Sequence, residues 1–256
     1  MLRIKHRRLL LAVIATVVTF GFFLIDRIPQ DPNYHLFADT QTLAGVANFW
    51  NVLSNAPFLG VGAFALWRSS FLDQRESRTA YLVLSIGVTL VGLGSAYYHC
   101  APSNASLLWD RLPMTVAFMA LLSMLLSERV VVGYNPVWLW LSVGIGIAAA
   151  LYWSWTEANG KGDLRPYAVV QFLPIILMPL IMALFPKRYL SNSMLLCAFA
   201  WYFVAKALEY YDHQILSLTG LVGGHPLKHV AAAIAALCIV LAIPAGARNY
   251  STVGNT

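Results

Sequence analysis

The sequence predicts an all-α polytopic membrane protein with a seven-helix core and one further helix ahead of it. Three observations carry that reading. Hydrophobic residues make up 59% of the chain and charged residues 11%, against about 25% charged in a soluble domain. The charges are confined to short stretches that punctuate apolar runs. Several runs approach the roughly 20 residues that a helix needs to cross a hydrocarbon core of about 30 Å. Cys100, Cys197 and Cys238 are widely spaced and form neither a disulfide framework nor a Cys-x-x-Cys metal knuckle.

The elements follow in order. Arg3, Lys5, Arg7 and Arg8 precede the apolar run Leu9–Ile25, as in a signal peptide. The run is long, however, and no small-x-small site follows it, so residues 1–25 read as a basic N-terminus with an uncleaved anchor helix. Residues 26–45 are the longest polar connection; they read first as an ordinary connector, with a lid as the alternative. Apolar stretches then recur at about 48–67, 80–99, 112–127, 135–155, 166–185, 193–210 and 226–244, with 112–127 the shortest. These make a seven-helix core over 46–247, followed by a tail at 248–256. Pro57, Pro174 and Pro179 fall inside such stretches, where neighbouring helices can satisfy the freed backbone groups.

The formal charge of +6 reports topology rather than affinity for nucleic acid. With eight crossings, Arg27, Arg111, Lys161 and Arg165 fall on one side, and Lys206 and Lys228 fall within spans. Every other Lys and Arg falls on the side of the N-terminus. The positive-inside rule then places both termini in the cytoplasm of a plasma or inner membrane. His99, Asp110, Asp212 and His225 come out together, on the extracytoplasmic side.

Those residues are the candidate chemistry. Ser95 and His99 are spaced i, i+4, as are His225 and His229, so each pair shares one helix face. Two histidines at that spacing with a third from another helix make a His₃ metal site with an open position, the catalytic rather than the structural arrangement of zinc. Intramembrane histidines also serve as interhelical hydrogen-bonding residues. Asp110 is the candidate base toward a metal-activated water; its competing roles are to cap a helix beginning near Leu112-Pro113 and to pair with Arg111. Ser95 is placed to hydrogen-bond a developing oxyanion, or simply to pack beside Gly94. Lys206 with Glu209 reads as an intrahelical ion pair, and Asp212 as an acid that orients a histidine ligand. His213 is a fallback ligand, while His6 and His35 read as solvent-facing. Asn48, Asn51, Ser54 and Asn55 give the second span a polar stripe, for packing or as a cavity wall.

With these residues in view, the chain resembles the alkaline ceramidase family, within the wider group of seven-span hydrolases and progestin/adiponectin-type receptors. The resemblance rests on Ala47–Asn55, on Gly94-Ser95 through His99, on Leu108-Trp-Asp-Arg-Leu-Pro-Met114 and on His225-x-x-x-His229, and spans roughly 45–245. It implies that His99, His225 and His229 bind zinc, that Asp110 activates the water and that Ser95 stabilises the oxyanion. The implied reaction is hydrolysis of the amide of a ceramide-like lipid held within the membrane. Eukaryotic members also carry an acidic calcium site ahead of their first span. Here Asn48 stands where an acidic residue is expected, although Asp39 remains, which leaves calcium doubtful. Three other classes stay open: a zinc-containing receptor or lipid-binding protein without turnover, a haem protein ligated by His99 against His225 or His229, and a transporter relaying through Lys206, Glu209 and Asp212. No protein partner is indicated.

Overall fold

Within hydrocarbon an apolar run has no water to satisfy its peptide groups, so it closes its own hydrogen bonds as a helix. The computed structural model describes residues 3–72, 75–131 and 135–244; the expected tail at 248–256 lies outside them. Among the described residues the regular structure is helical: α1 (Ile4–Phe23), α2 (Phe49–Leu53), α3 (Ala56–Arg68), α4 (Arg75–Cys100), α5 (Asn104–Leu125), α6 (Pro136–Ala158), α7 (Arg165–Leu184), α8 (Asn192–Tyr210), α9 (Asp212–Thr219) and α10 (Gly224–Ala242). The protein is an all-α polytopic membrane protein.

Among the described residues seven helical stretches are long and apolar enough to cross a membrane: 4–23, 49–71, 77–100, 104–130, 136–158, 165–184 and 224–242. The eighth expected span, 193–210, corresponds to α8, a helix of 19 residues that is not among the seven. Asn192, Lys206 and Glu209 dilute its apolar character. The second expected span is divided, α2 ending at Leu53 and α3 starting at Ala56 with Pro57 in its first turn.

The largest departure is at 112–127. This stretch belongs to a much longer helix, α5, which begins at Asn104 and continues through a π-helical turn at Leu126–Val130. A capping box starts it: Ser103 Oγ accepts from Ser106 N, and Ser103 N donates to Ser106 Oγ, satisfying two otherwise orphaned donors. Asp110 is therefore in the second turn of α5 and does not cap it. The reading of Asp110 as a helix cap near Leu112-Pro113 is corrected, and Pro113 sits inside the helix.

The buried α5 lies between α4 and α6, while α10 pairs with α8 and α3. The ends of the bundle differ. At one end Arg7 and Arg8 donate to the carbonyls of Leu184 and Val130, and Arg68 donates to Val240 O. Glu128 Oε1 accepts the successive backbone N–H groups of Arg188, Tyr189 and Leu190, at 2.8, 2.8 and 2.9 Å. Its Oε2 pairs with Arg129 Nε at 2.6 Å. The opposite end carries the candidate site.

α1 meets the bundle along α7 and leaves Leu9, Val13, Val17 and Phe20 exposed. An apolar face of that kind suits lipid rather than water. Cys197 and Cys238 are free thiols, and Cys238 Sγ donates to Cys197 Sγ at 3.3 Å between α10 and α8.

Candidate metal centre

The site is assembled by two close helix approaches, each made at a glycine. A Cβ on Gly94 would lie 1.9 Å from Trp109 O, so only glycine lets α4 touch the backbone of α5 there. That contact brings Ser95 of α4 beside Asp110 of α5, where both line the same cavity. Likewise a Cβ on Gly224 would lie 2.1 Å from Leu208 O, which seats the first turn of α10 against α8. His225 and His229 then project from α10 toward His99 at the end of α4.

The three imidazoles converge. Their ring centroids are separated by 4.9 Å (His99–His225), 4.8 Å (His99–His229) and 5.0 Å (His225–His229). One ligand atom from each lies within 4.8 Å of the others, and all three residues are buried. Nδ1 of His99 and Nε2 of His225 are buried without a hydrogen-bond partner among the described residues. Two orphaned ring nitrogens are costly at such depth, and three imidazoles that converge in this way fit a divalent ion such as zinc, which takes imidazole nitrogen at about 2.0–2.1 Å.

His229 is oriented from outside the cluster. Its Nδ1 lies 2.8 Å from Ser54 Oγ, and Ser54 Oγ lies 3.2 Å from the Asn51 carbonyl to which it donates. With that proton engaged, Ser54 accepts from Nδ1–H, which leaves the Nε2 lone pair free to ligate. The polar stripe of the second span thus serves the site: Asn48 Nδ2 donates to His99 O at 2.9 Å, and Asn51 Nδ2 to Asp39 O at 2.8 Å.

Several expected placements are corrected. Asp212 does not reach an imidazole. Its Oδ1 accepts the backbone N–H of His225 at 2.8 Å and its Oδ2 that of Ala38 at 3.0 Å, so it ties the start of α10 to the loop before α2. Both its oxygens accept backbone N–H groups, and no bond joins it to Glu209 among the described residues. The Lys206–Glu209 pair is present, with Lys228 Nζ added at 2.5 Å from the same carboxylate. His213 is exposed on α9. His35 is half-buried, its Nδ1 2.9 Å from Tyr98 Oη and its Nε2 3.0 Å from Asn104 Oδ1. Arg111 does not pair with Asp110; its Nη2 donates to Gln30 Oε1 at 2.7 Å.

The loop at 26–45 is more than a connector. It inserts Phe37 against the cluster, with ring centroids 4.6 Å from those of both His99 and His225. The loop is fastened by Gln30 N to Glu157 Oε1 at 2.6 Å and by Leu164 N to Ile28 O at 2.8 Å. Three convergent rings and an inserted phenyl leave no slot for a planar macrocycle with axial ligands on opposite faces, which removes the geometric basis of a haem site.

Asp110, Ser95 and His229 line one wall of a cavity of about 300 Å³ whose other polar residues include Arg111, Lys206 and Lys228. Behind it lies an apolar cavity of about 170 Å³, bounded by Leu84, Val88 and Ile239 among others. The two share Phe58, Val91, Met114, Tyr202 and Ala232 as lining residues, so they lie side by side.

A comparison with protein families matches residues 38–245 to the family described as Ceramidase. The chain belongs to the ceramidase family. The match takes in every residue of the cluster, along with Ser54, Ser95, Asp110 and the Phe37-proximal end of the loop. Membership implies a membrane hydrolase acting on the amide bond of a lipid. A comparison with curated proteins found no match.

Proposed function

We propose that the protein is a zinc-dependent amidohydrolase that cleaves the amide of a ceramide-like lipid with water. The observation that supports this most directly is the convergence of three buried imidazoles, two with unpartnered ring nitrogens, beside a cavity that holds a carboxylate. His99, His225 and His229 would hold the ion. Zinc bound there would polarise the carbonyl and lower the pKa of the attacking water to about 7.

The chain's own residues do the rest. The apolar cavity takes the acyl chain, which leaves the amide at the junction of the two cavities, next to Asp110. Asp110 accepts a proton from water as its oxygen bonds to the carbonyl carbon. It returns that proton to the nitrogen as the C–N bond breaks, giving a fatty acid and an amine. Ser95, beside Asp110 in the same cavity, would hold the carboxylate in line by donating to it, or donate to the oxyanion as the resemblance implies. Phe37 narrows the approach of bulk water from the loop side. Within the membrane, we place both termini in the cytoplasm and the site toward the extracytoplasmic surface.

Metal analysis of the purified protein beside two variants tests the proposal. The parent protein should carry one zinc per chain, and His225→Ala should lose it. Asp110→Asn should retain zinc and lose lipid-amide hydrolysis. Parent protein without stoichiometric zinc, or hydrolysis that survives Asp110→Asn, refutes it.

A further inference from the structure

The polar cavity holds three cations, Arg111, Lys206 and Lys228, against two carboxylates, Asp110 and Glu209. Both lysines share Glu209, so neither has a carboxylate of its own. Arg111 has none. It is 6% exposed, its Nη2 donates to the neutral Gln30 amide, and its Nη1 is buried with no partner among the described residues. The guanidinium Cζ is held 4.2 Å from the ring centroid of Trp153, 4.8 Å from that of Tyr167 and 5.4 Å from that of Tyr34. Aromatic faces support a cation from above and below but leave its in-plane N–H groups unsatisfied.

An unpaired cation at membrane depth is expensive, and a neutral diol headgroup does nothing to offset it. A carboxylate or phosphate does, because a guanidinium fork matches either group with paired, charge-assisted hydrogen bonds. We propose that the lipid amide cleaved here carries an anionic oxoacid group close to the scissile bond. Arg111 and Lys228 are the residues that select it. Arg111 and Lys228 line the same cavity as Asp110 and His229, so a bound anion would share that cavity with the reacting carbonyl. The substrate assignment rests on the hydrolase reading, whereas the anion site does not.

Two measurements separate them. The first is titration of the full chain in neutral detergent with dodecyl phosphate, dodecanoate and dodecanol, followed by tryptophan fluorescence. Both anions should bind at least tenfold more tightly than the alcohol, and their ranking distinguishes a phosphate from a carboxylate site. Lys228→Gln and Arg111→Gln should each weaken the anions about tenfold and leave dodecanol unchanged. Equal affinity for all three probes, or anion binding unaltered in Lys228→Gln, overturns the anion site whether or not Arg111→Gln folds. The second is turnover of three lipid amides of one acyl chain bearing a phosphate, a carboxylate or a diol headgroup. The anionic pair should show the higher kcat/KM; a preference for the diol overturns the substrate assignment. Turnover of none of them sinks the hydrolase reading, and the first measurement still decides the charge.

Discussion

Replacing Ser54 with alanine tests whether the second span takes part in holding the metal. In the structure Ser54 Oγ stands 2.8 Å from His229 Nδ1 and 3.2 Å from Asn51 O, a relay that fixes both the ring plane and the ligating tautomer. Alanine is nearly isosteric but leaves Nδ1–H buried with no acceptor. An orphaned buried donor costs about 1–3 kcal/mol, and the ring can escape that cost by changing tautomer, which puts its proton on the nitrogen that faces the cluster. Loss of an outer partner of a metal-ligating histidine typically lowers affinity by about 10- to 100-fold, equivalent to about 1.4–2.7 kcal/mol. The two estimates agree. Zinc affinity is read by competition with a chromophoric chelator, with thermal unfolding of the metal-free protein as the control for folding. A folded Ser54→Ala protein that binds zinc within twofold of the parent would refute the reasoning, because His229 would then need no partner to ligate.

The remaining predictions concern the frame around the site. Gly94→Ala places a methyl 1.9 Å from Trp109 O; backbone cannot yield that far, so α4 and α5 should separate, and hydrolysis and melting temperature should fall together. Glu128→Gln replaces the acceptor of three consecutive N–H groups and an ion pair buried on both sides. A loss of about 3–5 kcal/mol should appear as a lower unfolding temperature, and an unchanged one would show that the lock is ornamental. Asp163 lies outside the spans, and its carboxyl is held below the usual range, first by the Arg165 side chain that hydrogen-bonds it. A depressed value in the folded state means a contribution to stability that is complete above the unfolded pKa of about 3.9 and is lost as pH falls through the folded value. The parent and Asp163→Asn should therefore differ in melting temperature near neutral pH and converge in acid; a gap that persists below pH ~2 would exclude the linkage.

Much of the frame was legible in the residues. The long apolar runs forced helices, and His225-x-x-x-His229 placed two rings on one face whatever the partner. The alternation of runs and charges foretold that His99, Asp110 and His225 would come to one end. Where the reading went astray, the deciding contact was long-range or unusually local. α5 begins at Asn104 because two serines form a reciprocal cap, with a serine in place of the acid or amide that marks the usual signature. Asp212, expected to orient a histidine ligand, holds His225 through its backbone N–H. Ser54 was visible only as part of a polar stripe, and Phe37 carried no signal, since a lone aromatic in a connecting loop looks like any other.

By itself, the sequence determined the class of the protein and which histidines share a helix face. These depend on composition and on helical period, both local properties of a chain in hydrocarbon. The tertiary structure alone decided which atoms face one another. Gly94 and Gly224 set how closely α5 and α8 are approached. Ser54 sets which nitrogen of His229 points inward. Trp153, Tyr167 and Tyr34 hold Arg111 with no counter-charge. The physical reason is the same in each case: a hydrogen bond or a backbone contact is settled within a few tenths of an ångström, by residues brought together from separate helices and the loop at 26–45.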